Sequence, residues 1–211
     1  MKKVCIVGVG AIGGTYAALL KKGGAEPLLI DSDPEKVRVI SRRGLTVEGW
    51  GNFKFMIMQN VPPEKQDLIL IATKTYLNEV VYPSLAPMIA AKTTILTLQN
   101  GFGNGNALAG LYPAGQICVG STYRGAICSQ PGLVLPKGEG LTVVASWLKE
   151  KPERAHKAAQ FLTACGIESK EEADGPKMIW QKLILNSVAN PLTAIYGVKN
   201  GEILTDHRLF S

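Results

Sequence analysis

Residues 3–14, Lys-Val-Cys-Ile-Val-Gly-Val-Gly-Ala-Ile-Gly-Gly, decide the fold of this chain. A short run of Val, Cys and Ile predicts a buried strand, and a G-x-G-x-x-G motif over 8–13 follows it directly. Small and apolar residues then continue at helical spacing as far as Lys21-Lys22-Gly23, which is typical of a helix end. A strand, a glycine-rich turn and a helix in this order form the unit that binds a dinucleotide.

The glycines of the motif have separate expected roles. Gly8 permits the tight turn, Gly10 lets the backbone approach a pyrophosphate, and Gly13 allows close packing of helix and strand. The N–H groups at the helix N-terminus then face the phosphates. The predicted cofactor-binding residues of this loop are Gly8, Val9, Gly10, Ala11, Ile12 and Gly13. The alternative is a glycine-rich turn that binds no ligand.

An acidic residue closes the second predicted strand, over 27–31. Asp31 follows Gly13 by 18 positions (31 − 13), where a carboxylate accepts hydrogen bonds from the adenosine ribose hydroxyls. Because that carboxylate would repel a 2′-phosphate, Asp31 indicates NADH. The alternative is that Asp31 only caps the helix predicted over 33–43. Four nearby residues could still accommodate a phosphate, namely Ser32, Arg38, Arg42 and Arg43.

The rest of the chain continues as strands separated by helices. The predicted elements are strands over 67–72 and 93–98, a hairpin or loop over 45–62, short strands over 116–146, and helices over 152–165 and 175–190. The predicted fold class is therefore α/β. We expect a Rossmann-type dinucleotide-binding domain over 1–166, followed over 167–211 by the start of an all-helical domain that looks truncated.

Composition and charge narrow the classes of function. The chain has 211 residues, and its net charge of +6 is spread without interleaved aromatic residues, which fits an anionic small ligand and argues against nucleic acid. No stretch reaches about 18 uninterrupted apolar residues, so no membrane span is expected. The four cysteines have no C-x-x-C spacing and predict buried thiols in a cytoplasmic protein; they are Cys5, Cys118, Cys128 and Cys165.

Several proton donors used in ketone reduction are excluded. A nicotinamide enzyme of this kind needs a donor beside the developing alkoxide. Only His156 and His207 are present, and His156 lies in a charged, solvated helix segment, which argues against a His–Asp pair. None of the six tyrosines has a lysine four residues later, and no cysteine spacing suits a catalytic zinc site, so no metal is expected.

The helix predicted over 175–190 offers another donor. Lys182, Asn186 and Asn190 recur at i, i+4 and i+8, so they share one face of a helix whose other residues are mostly large and apolar. One ammonium and two amides in a largely buried helix are costly without partners, and a polar substrate would be such a partner. The alternative places all three on the solvent face, with Asn190 capping the helix before Pro191.

Two more polar residues follow the ends of predicted parallel strands. Asn100 lies in Leu98-Gln-Asn-Gly101, and Lys74 lies in Thr73-Lys-Thr-Tyr76. Ligands in open α/β sheets bind outside the carboxyl ends of the strands, so both are candidate site residues. An Asn-Gly turn and an exposed lysine are the alternatives.

These motifs together resemble the ketopantoate reductases (2-dehydropantoate 2-reductases), and the resemblance covers the whole chain. Its most specific part is Trp180-Gln-Lys-Leu-Ile-Leu-Asn-Ser-Val-Ala-Asn-Pro-Leu-Thr-Ala-Ile195, followed by Asn200-Gly-Glu. The other matching parts are the N-terminal G-x-G-x-x-G, the lysine in Thr-Lys-Thr-Tyr, Leu-Gln-Asn-Gly, and Gly120-Ser-Thr-Tyr-Arg-Gly-Ala126.

The resemblance implies an activity and a set of site residues. The implied reaction is reduction of 2-dehydropantoate to (R)-pantoate, for pantothenate and coenzyme A, with Lys182 as the general acid that protonates the C2 alkoxide. The implied contacts are Asn186, Asn190 and Asn200 to substrate, Asn100 to both cofactor and substrate, Ala126 to the cofactor through its backbone, and Lys74 near the reacting carbonyl, at the substrate and cofactor.

Two departures from the family pattern keep alternatives open. The family mostly uses NADPH, often with a basic residue just after the second strand, whereas this chain has Asp31-Ser32 there, so NADH is a second expectation. The family also continues into an all-helical domain that supplies a Ser and a Glu to the site, and the sequence stops at Ser211. The expectation is a fragment or a truncated form, with uncovered apolar helix faces.

The remaining hypotheses are a homodimer, a reductase of another 2-keto acid, and a catalytically impaired dinucleotide-binding module.

Overall fold

The computed structural model describes residues 1–205 of the chain, in which strands and helices alternate. In chain order the strands are β1 (Val4–Val7), β2 (Leu28–Ile30), β3 (Leu45–Val47), β4 (Gly51–Phe53), β5 (Ile57–Met58), β6 (Leu68–Ile71), β7 (Thr94–Thr97), β8 (Ile117–Thr122), β9 (Gly125–Gln130), β10 (Leu133–Gly138), β11 (Thr142–Ser146) and β12 (Ser169–Glu172). The α-helices are α1 (Ala11–Lys22), α2 (Pro34–Arg43), α3 (Asn78–Ser84), α4 (Asn104–Ala109), α5 (Glu153–Ala164) and α6 (Gly175–Tyr196).

Eight of these strands form one large sheet, in the order β12-β11-β8-β7-β6-β1-β2-β5. Its central strands β2, β1, β6, β7 and β8 pair in parallel, and β11 pairs with β8 antiparallel. Because parallel neighbours point the same way, the carboxyl ends of β1, β6, β7 and β8 meet at one edge. This edge carries the glycine loop, Lys74 and Asn100, and the predicted α/β Rossmann-type fold is confirmed.

Both faces of the large sheet are covered, which is why its central strands are apolar without alternation. Along β1, Val4 and Ile6 pack into a core with α1 and α5, whereas Cys5 and Val7 pack into a second core with α3 and α4. All four residues of β1, β6 and β7 are buried. The sheet edge that holds the candidate site is therefore supported by packed side chains on both faces.

A second sheet of four strands, in the order β4-β3-β10-β9, lies against α1. The expected hairpin within 45–62 is the antiparallel pair β3 and β4, and the short strands expected over 116–146 are β8 to β11. A Cβ on Gly14 would stand 2.8 Å from the Val134 side chain, so α1 and this sheet are in close contact. Cys128 lies on the edge strand β9 and is partly exposed, whereas the other three cysteines are buried as expected.

The predicted start of α2 is confirmed in detail. The Asp33 carboxylate accepts hydrogen bonds from the backbone N–H groups of Glu35 (2.9 Å) and Lys36 (3.3 Å), and Pro34 occupies the first helical position. These contacts satisfy N–H groups that otherwise lack partners at a helix N-terminus. Asp33, not Asp31, is therefore the cap of this helix.

The last long helix, α6, extends beyond its predicted end at residue 190. Pro191 lacks an N–H group and favours a helix end before it, yet α6 continues through Pro191 to Tyr196. It ends at Gly197, whose φ of +64° suits glycine and whose N–H bonds the Thr193 carbonyl. Because Asn190 lies inside the helix, the interpretation of Asn190 as a C-terminal cap is wrong.

One strand of the large sheet follows the domain boundary that we predicted between residues 166 and 167. β12 pairs in parallel with β11, so Ser169–Glu172 is the outermost strand of the large sheet. Its polar sequence, Ser-Lys-Glu-Glu, lacks the apolar signal of a buried strand, and an edge strand needs no such signal. We propose that the dinucleotide-binding domain ends at 173–174, directly before α6 begins at Gly175. Among the described residues, no helix is long and apolar enough to cross a membrane.

Candidate active site

The glycine loop joins β1 to α1 in the geometry that the motif predicts. Gly8 has a φ of +93°, and a Cβ there would stand 2.7 Å from the Thr73 backbone nitrogen. A Cβ on Gly13 would stand only 1.9 Å from the Gly8 carbonyl oxygen, so the first turn of α1 packs directly on the turn after β1. The expected structural roles of these two glycines, a tight turn and close helix–strand packing, are confirmed.

Gly10 is different, because protein packing does not require a glycine there. Its φ of −88° suits any residue, and a Cβ on Gly10 would meet no atom of the described residues within 4 Å. No side-chain hydrogen bond caps α1 among the described residues, so N–H groups of its first turn are left without such a partner beside this open space. An open space above glycine at a helix N-terminus fits the pyrophosphate of a dinucleotide.

Asp31 is a buried carboxylate that contacts the glycine loop. Its Oδ2 accepts a hydrogen bond from the Val9 backbone N–H at 2.7 Å and forms an ion pair with Lys36 Nζ at 2.8 Å. Its Oδ1 accepts a hydrogen bond from the Asp33 N–H at 3.0 Å. Asp31 therefore lies between the loop and α2, beside the point where an adenosine ribose would be held. Sequence reasoning named Asp31 but missed Lys36 as its partner.

At the same sheet edge, a cleft brings together three of the predicted site residues. Asn100 follows β7, while Lys182 and Asn186 project from α6, and all three line this cleft with Gly101, Gly120 and Leu183. Lys182 and Asn186 are partly buried, so the alternative that placed the whole polar stripe on the solvent face is wrong for these two. The i, i+4 spacing on α6 positions one ammonium and one amide over the strand ends.

The Lys182 ammonium is held in place by the main chain. Its Nζ donates a hydrogen bond to the Thr122 carbonyl oxygen at 2.8 Å, at the end of β8, and lies 5.9 Å from the centroid of the Tyr123 ring. Burial disfavours the charged form and lowers the pKa of Lys182 from its ordinary 10.5 to about 8. A lysine with this pKa is still mostly protonated at neutral pH and gives up its proton readily.

Other predicted residues lie outside the cleft. Asn190 is exposed on α6, two turns beyond Lys182, and Asn200 is exposed at the start of the 3₁₀ helix Asn200–Leu204. Lys74 is exposed at the same sheet edge as Asn100, directly after the turn that follows β6. Ala126 lies on β9, in the sheet that packs on α1. The C-terminal residues 206–211, which include His207, lie outside the described part of the chain.

The α6 helix is less buried than its sequence predicts. Its apolar residues Trp180, Ile184, Leu185 and Val188 are between 49% and 61% exposed, whereas the first turns, with Met178 and Ile179, are buried. The expectation of a largely buried helix is therefore wrong for the described chain. The related expectation, that apolar helix faces are left uncovered, is confirmed.

Sequence reasoning also missed a set of buried amides beneath the cleft. Gln99, Asn104 and the partly buried Asn78 form hydrogen bonds with one another and with Tyr82, next to Asn100. The motif Leu-Gln-Asn-Gly contained a signal for this set, since a glutamine at the end of a buried strand needs hydrogen-bond partners. The partners themselves are distant in sequence and could not be named from it.

The class of protein that this sheet edge defines is a Rossmann-type NAD(P)-dependent oxidoreductase. A family model described as "Ketopantoate reductase PanE/ApbA" matches residues 4–149, and one described as "Ketopantoate reductase PanE/ApbA C terminal" matches residues 176–210. The chain therefore belongs to the ketopantoate reductase family, and the resemblance drawn from its motifs is confirmed.

Individual relatives agree with this assignment. The chain is 34% identical to a 2-dehydropantoate 2-reductase of Pyrococcus horikoshii and 30% identical to one of Archaeoglobus fulgidus, over 99% and 100% of this chain and 69% of each relative. Among solved structures, the 2-dehydropantoate 2-reductase from Geobacter metallireducens superposes with a TM-score of 0.86 at 29% identity, over 98% of this chain and 70% of that one. A ternary structure of D-mandelate dehydrogenase with NADH and anilino(oxo)acetate gives 0.90 at 27%, over 98% and 68%.

Proposed function

We propose that this chain reduces 2-dehydropantoate to (R)-pantoate with a nicotinamide cofactor, and that Lys182 donates the proton. The observation that carries the proposal is the position of the Lys182 ammonium, in one cleft with Asn100 and Asn186 at the carboxyl edge of a Rossmann-type sheet. Membership of the ketopantoate reductase family supports the substrate. Three relatives that match nearly the whole of this chain are named 2-dehydropantoate 2-reductases.

The chain's own residues have distinct parts in this reaction. NADH or NADPH, when bound, supplies a hydride to the C2 carbonyl carbon. Lys182 Nζ gives a proton to the carbonyl oxygen, so the C=O bond becomes a C–OH group, and the neutral lysine regains a proton from solvent. The Thr122 carbonyl, which accepts a hydrogen bond from Nζ, holds the ammonium in the cleft before the substrate arrives.

Amide side chains are proposed to orient the substrate. Asn100 and Asn186 line the cleft with Lys182, so their amides can donate to the carboxylate or hydroxyl oxygens of a keto acid bound there. Roles for Lys74, Asn190 and Asn200 rest on the family resemblance, and Ala126 is proposed in the same way as a backbone contact to the cofactor. The glycine loop, Gly8–Gly13, is proposed to hold the pyrophosphate.

A second candidate function is reduction of another 2-keto acid on the same scaffold. The similarity to D-mandelate dehydrogenase, a protein that acts on an aromatic 2-hydroxy acid, is the observation that favours it. Reduction of 2-dehydropantoate is the first candidate, since relatives at 34% and 30% identity are named 2-dehydropantoate 2-reductases.

The first experiment follows loss of reduced-nicotinamide absorbance with purified full chain. 2-Dehydropantoate and phenylglyoxylate, the keto acid that corresponds to mandelate, are tested separately, each with NADH and with NADPH. Faster turnover of 2-dehydropantoate supports the proposal, and faster turnover of phenylglyoxylate supports the second candidate. Cofactor binding without turnover of either substrate contradicts reduction of these two keto acids and supports a catalytically impaired dinucleotide-binding module.

For the cofactor, we propose a preference for NADH over NADPH. Asp31 is a buried carboxylate where the ribose 2′-position would lie, and a dianionic 2′-phosphate there would be repelled. The Lys36 ammonium, 2.8 Å from Asp31, offsets part of this repulsion. The NADH in both D-mandelate dehydrogenase structures gives the preference further support. The family resemblance, by contrast, favours NADPH.

Replacing Asp31 by alanine is expected to lower the NADH/NADPH ratio of kcat/KM by at least about tenfold. The change removes a charged hydrogen-bond acceptor, worth ~1.5–3 kcal/mol, and frees the Lys36 ammonium for a phosphate. The matched control is Asp33→Ala, which removes a helix cap and so lowers the free energy of unfolding by ~1 kcal/mol, but leaves the ratio unchanged. An unchanged ratio in Asp31→Ala would confine Asp31 to its contacts with Val9, Asp33 and Lys36.

We also propose an oligomeric state and a cellular location for this chain. A homodimer and a cytoplasmic location are expected of a metabolic reductase with three buried, free cysteines, and sedimentation of the full chain tests the dimer. The spread of basic residues supports a small anionic substrate rather than nucleic acid.

A further inference from the structure

A buried amide lies between the two loops that carry Lys74 and Asn100. Gln99, 6% exposed, is the second residue after β7 and immediately precedes Asn100. Its Nε2 donates to the carbonyl oxygen and to the hydroxyl of Thr73, both at 3.1 Å, and Thr73 immediately precedes Lys74. One side-chain amide therefore joins the residue before Lys74 to the residue before Asn100, across the carboxyl ends of β6 and β7.

The surrounding contacts determine which way this amide points. The Thr73 carbonyl can only accept a hydrogen bond, so the atom facing it must be the NH2 group of Gln99. On the other side, Oε1 accepts from the hydroxyls of Tyr82 (2.6 Å) and Thr97 (2.9 Å). Every hydrogen-bonding site of the amide is used, so rotation of the side chain would leave buried groups without partners.

Two asparagines extend the link to the backbone of Asn100. Asn78 Oδ1, 2.7 Å from Gln99 Nε2, shares the two N–H groups of that amide with the two Thr73 oxygens, and Asn78 Nδ2 donates to Asn104 Oδ1 at 2.9 Å. Asn104 Nδ2 then donates to the Asn100 carbonyl oxygen at 3.2 Å. The loop after β6, the start of α3, the start of α4 and the loop after β7 are thus joined through three amides.

We infer that Gln99 is a positioning residue, which sets the placement of the Lys74 and Asn100 loops relative to each other and so supports turnover. Gln99 also lines the cleft, but it is not a proton donor there, because its amide is fully engaged in the hydrogen bonds described. Its effect on turnover rests on the proposed function, whereas its effect on the two loops does not. A misplacement of about 1 Å at reacting groups can lower a rate about a hundredfold.

The chain offers a matched control for a buried glutamine in the same sheet. Gln116, 5% exposed, lies just before β8 at the opposite end of the strands, and its Nε2 donates to the carbonyl oxygens of Ala90 (2.6 Å) and Thr93 (3.2 Å). Gln99→Met and Gln116→Met both remove a buried amide of equal size. Only the first is adjacent to the site.

The test compares Gln99→Met, Gln116→Met and Asn78→Ala in the full chain. We expect kcat to fall at least about tenfold in Gln99→Met and about threefold in Asn78→Ala, with the dissociation constant for NADH within about twofold of wild type in each. In Gln116→Met, kcat is expected to be unchanged, although its melting temperature falls as much as that of Gln99→Met. Asn78 is only partly buried, so its variant keeps the test open if Gln99→Met does not fold.

A second readout separates failure of this inference from failure of the proposed function. Amide hydrogen exchange is expected to become faster in both 72–78 and 99–105 in Gln99→Met, and in neither in Gln116→Met. Faster exchange in 99–105 alone, or equal loss of kcat in the two methionine variants, overturns the positioning role. A wild-type chain without turnover contradicts the proposed function, and exchange in the two loops then still decides whether Gln99 links them.

Discussion

Replacing Lys182 by alanine is expected to lower kcat for reduction of 2-dehydropantoate by about 10²–10⁴-fold, the usual contribution of a positioned general acid. The alkoxide would then have to take its proton from water, which is neither held in place nor as acidic as the Lys182 ammonium. The dissociation constant for NADH should stay nearly unchanged, because the glycine loop and Asp31 do not line the cleft that holds Lys182. Stopped-flow turnover and cofactor fluorescence measure the two quantities.

The control is Lys177→Ala, on the same helix but exposed to solvent. Its kcat should equal that of the wild type, which separates loss of a particular proton donor from loss of a positive charge on α6. If Lys182→Ala keeps kcat within about threefold of wild type, Lys182 is not the general acid.

The lowered pKa of Lys182 adds a pH signature to the same variant. A general acid acts in its protonated form, so wild-type kcat/KM should be level below pH 8 and fall about tenfold per pH unit above it. An ordinary lysine would move this fall to about pH 10.5. The residual activity of Lys182→Ala should lose the fall near pH 8, and a wild-type profile that stays level to pH 10 would contradict the assignment.

The second large effect is expected from paired substitutions in the glycine loop. Gly10→Ala should weaken NADH binding about a hundredfold, or ~2.7 kcal/mol, because its methyl group would occupy the open space above the helix N-terminus. The free energy of unfolding should stay within ~0.5 kcal/mol of wild type, since that methyl group meets no atom of the described residues within 4 Å.

Gly13→Ala should behave in the opposite way. Its Cβ would stand 1.9 Å from the Gly8 carbonyl oxygen, so β1 and α1 must separate, at a cost of ~1–3 kcal/mol or more in folding stability. Thermal unfolding and NADH titration check the pair, with Gly110→Ala as the control at an ordinary φ of −71° and ordinary contacts. Tight NADH binding by Gly10→Ala would mean that the open space does not hold the cofactor.

Much of the candidate site could be predicted because its signals are local. The turn at Gly8, the cap at Asp33 and the i, i+4 spacing of Lys182 and Asn186 each depend on a few consecutive residues. Burial could not be predicted in the same way. Four apolar residues of α6 are exposed, namely Trp180, Ile184, Leu185 and Val188, whereas Lys182 and Asn186 line a cleft. Burial depends on what packs against the helix, which the sequence of the helix does not specify.

The errors have similar causes. α6 continues through Pro191, which removes one backbone hydrogen bond, and it ends only at Gly197, where the backbone turns left-handed. β12 was missed because an edge strand does not need apolar residues on both faces.

The sequence by itself determined most of the order of strands and helices, the glycine loop and the ammonium group that position 182 offers, because periodicity, turn geometry and side-chain type are properties of short segments. The pKa of that ammonium depends on its burial and therefore on the tertiary structure. Only the tertiary structure decided which groups meet. The Lys182 ammonium contacts the Thr122 carbonyl, 60 residues away, and the Gln99 amide contacts Thr73, 26 residues away. These contacts follow from the strand order β8-β7-β6-β1, which brings the carboxyl ends of distant segments to one edge. Hydrogen bonds across that edge require correct placement in three dimensions, and no local pattern in the sequence specifies it.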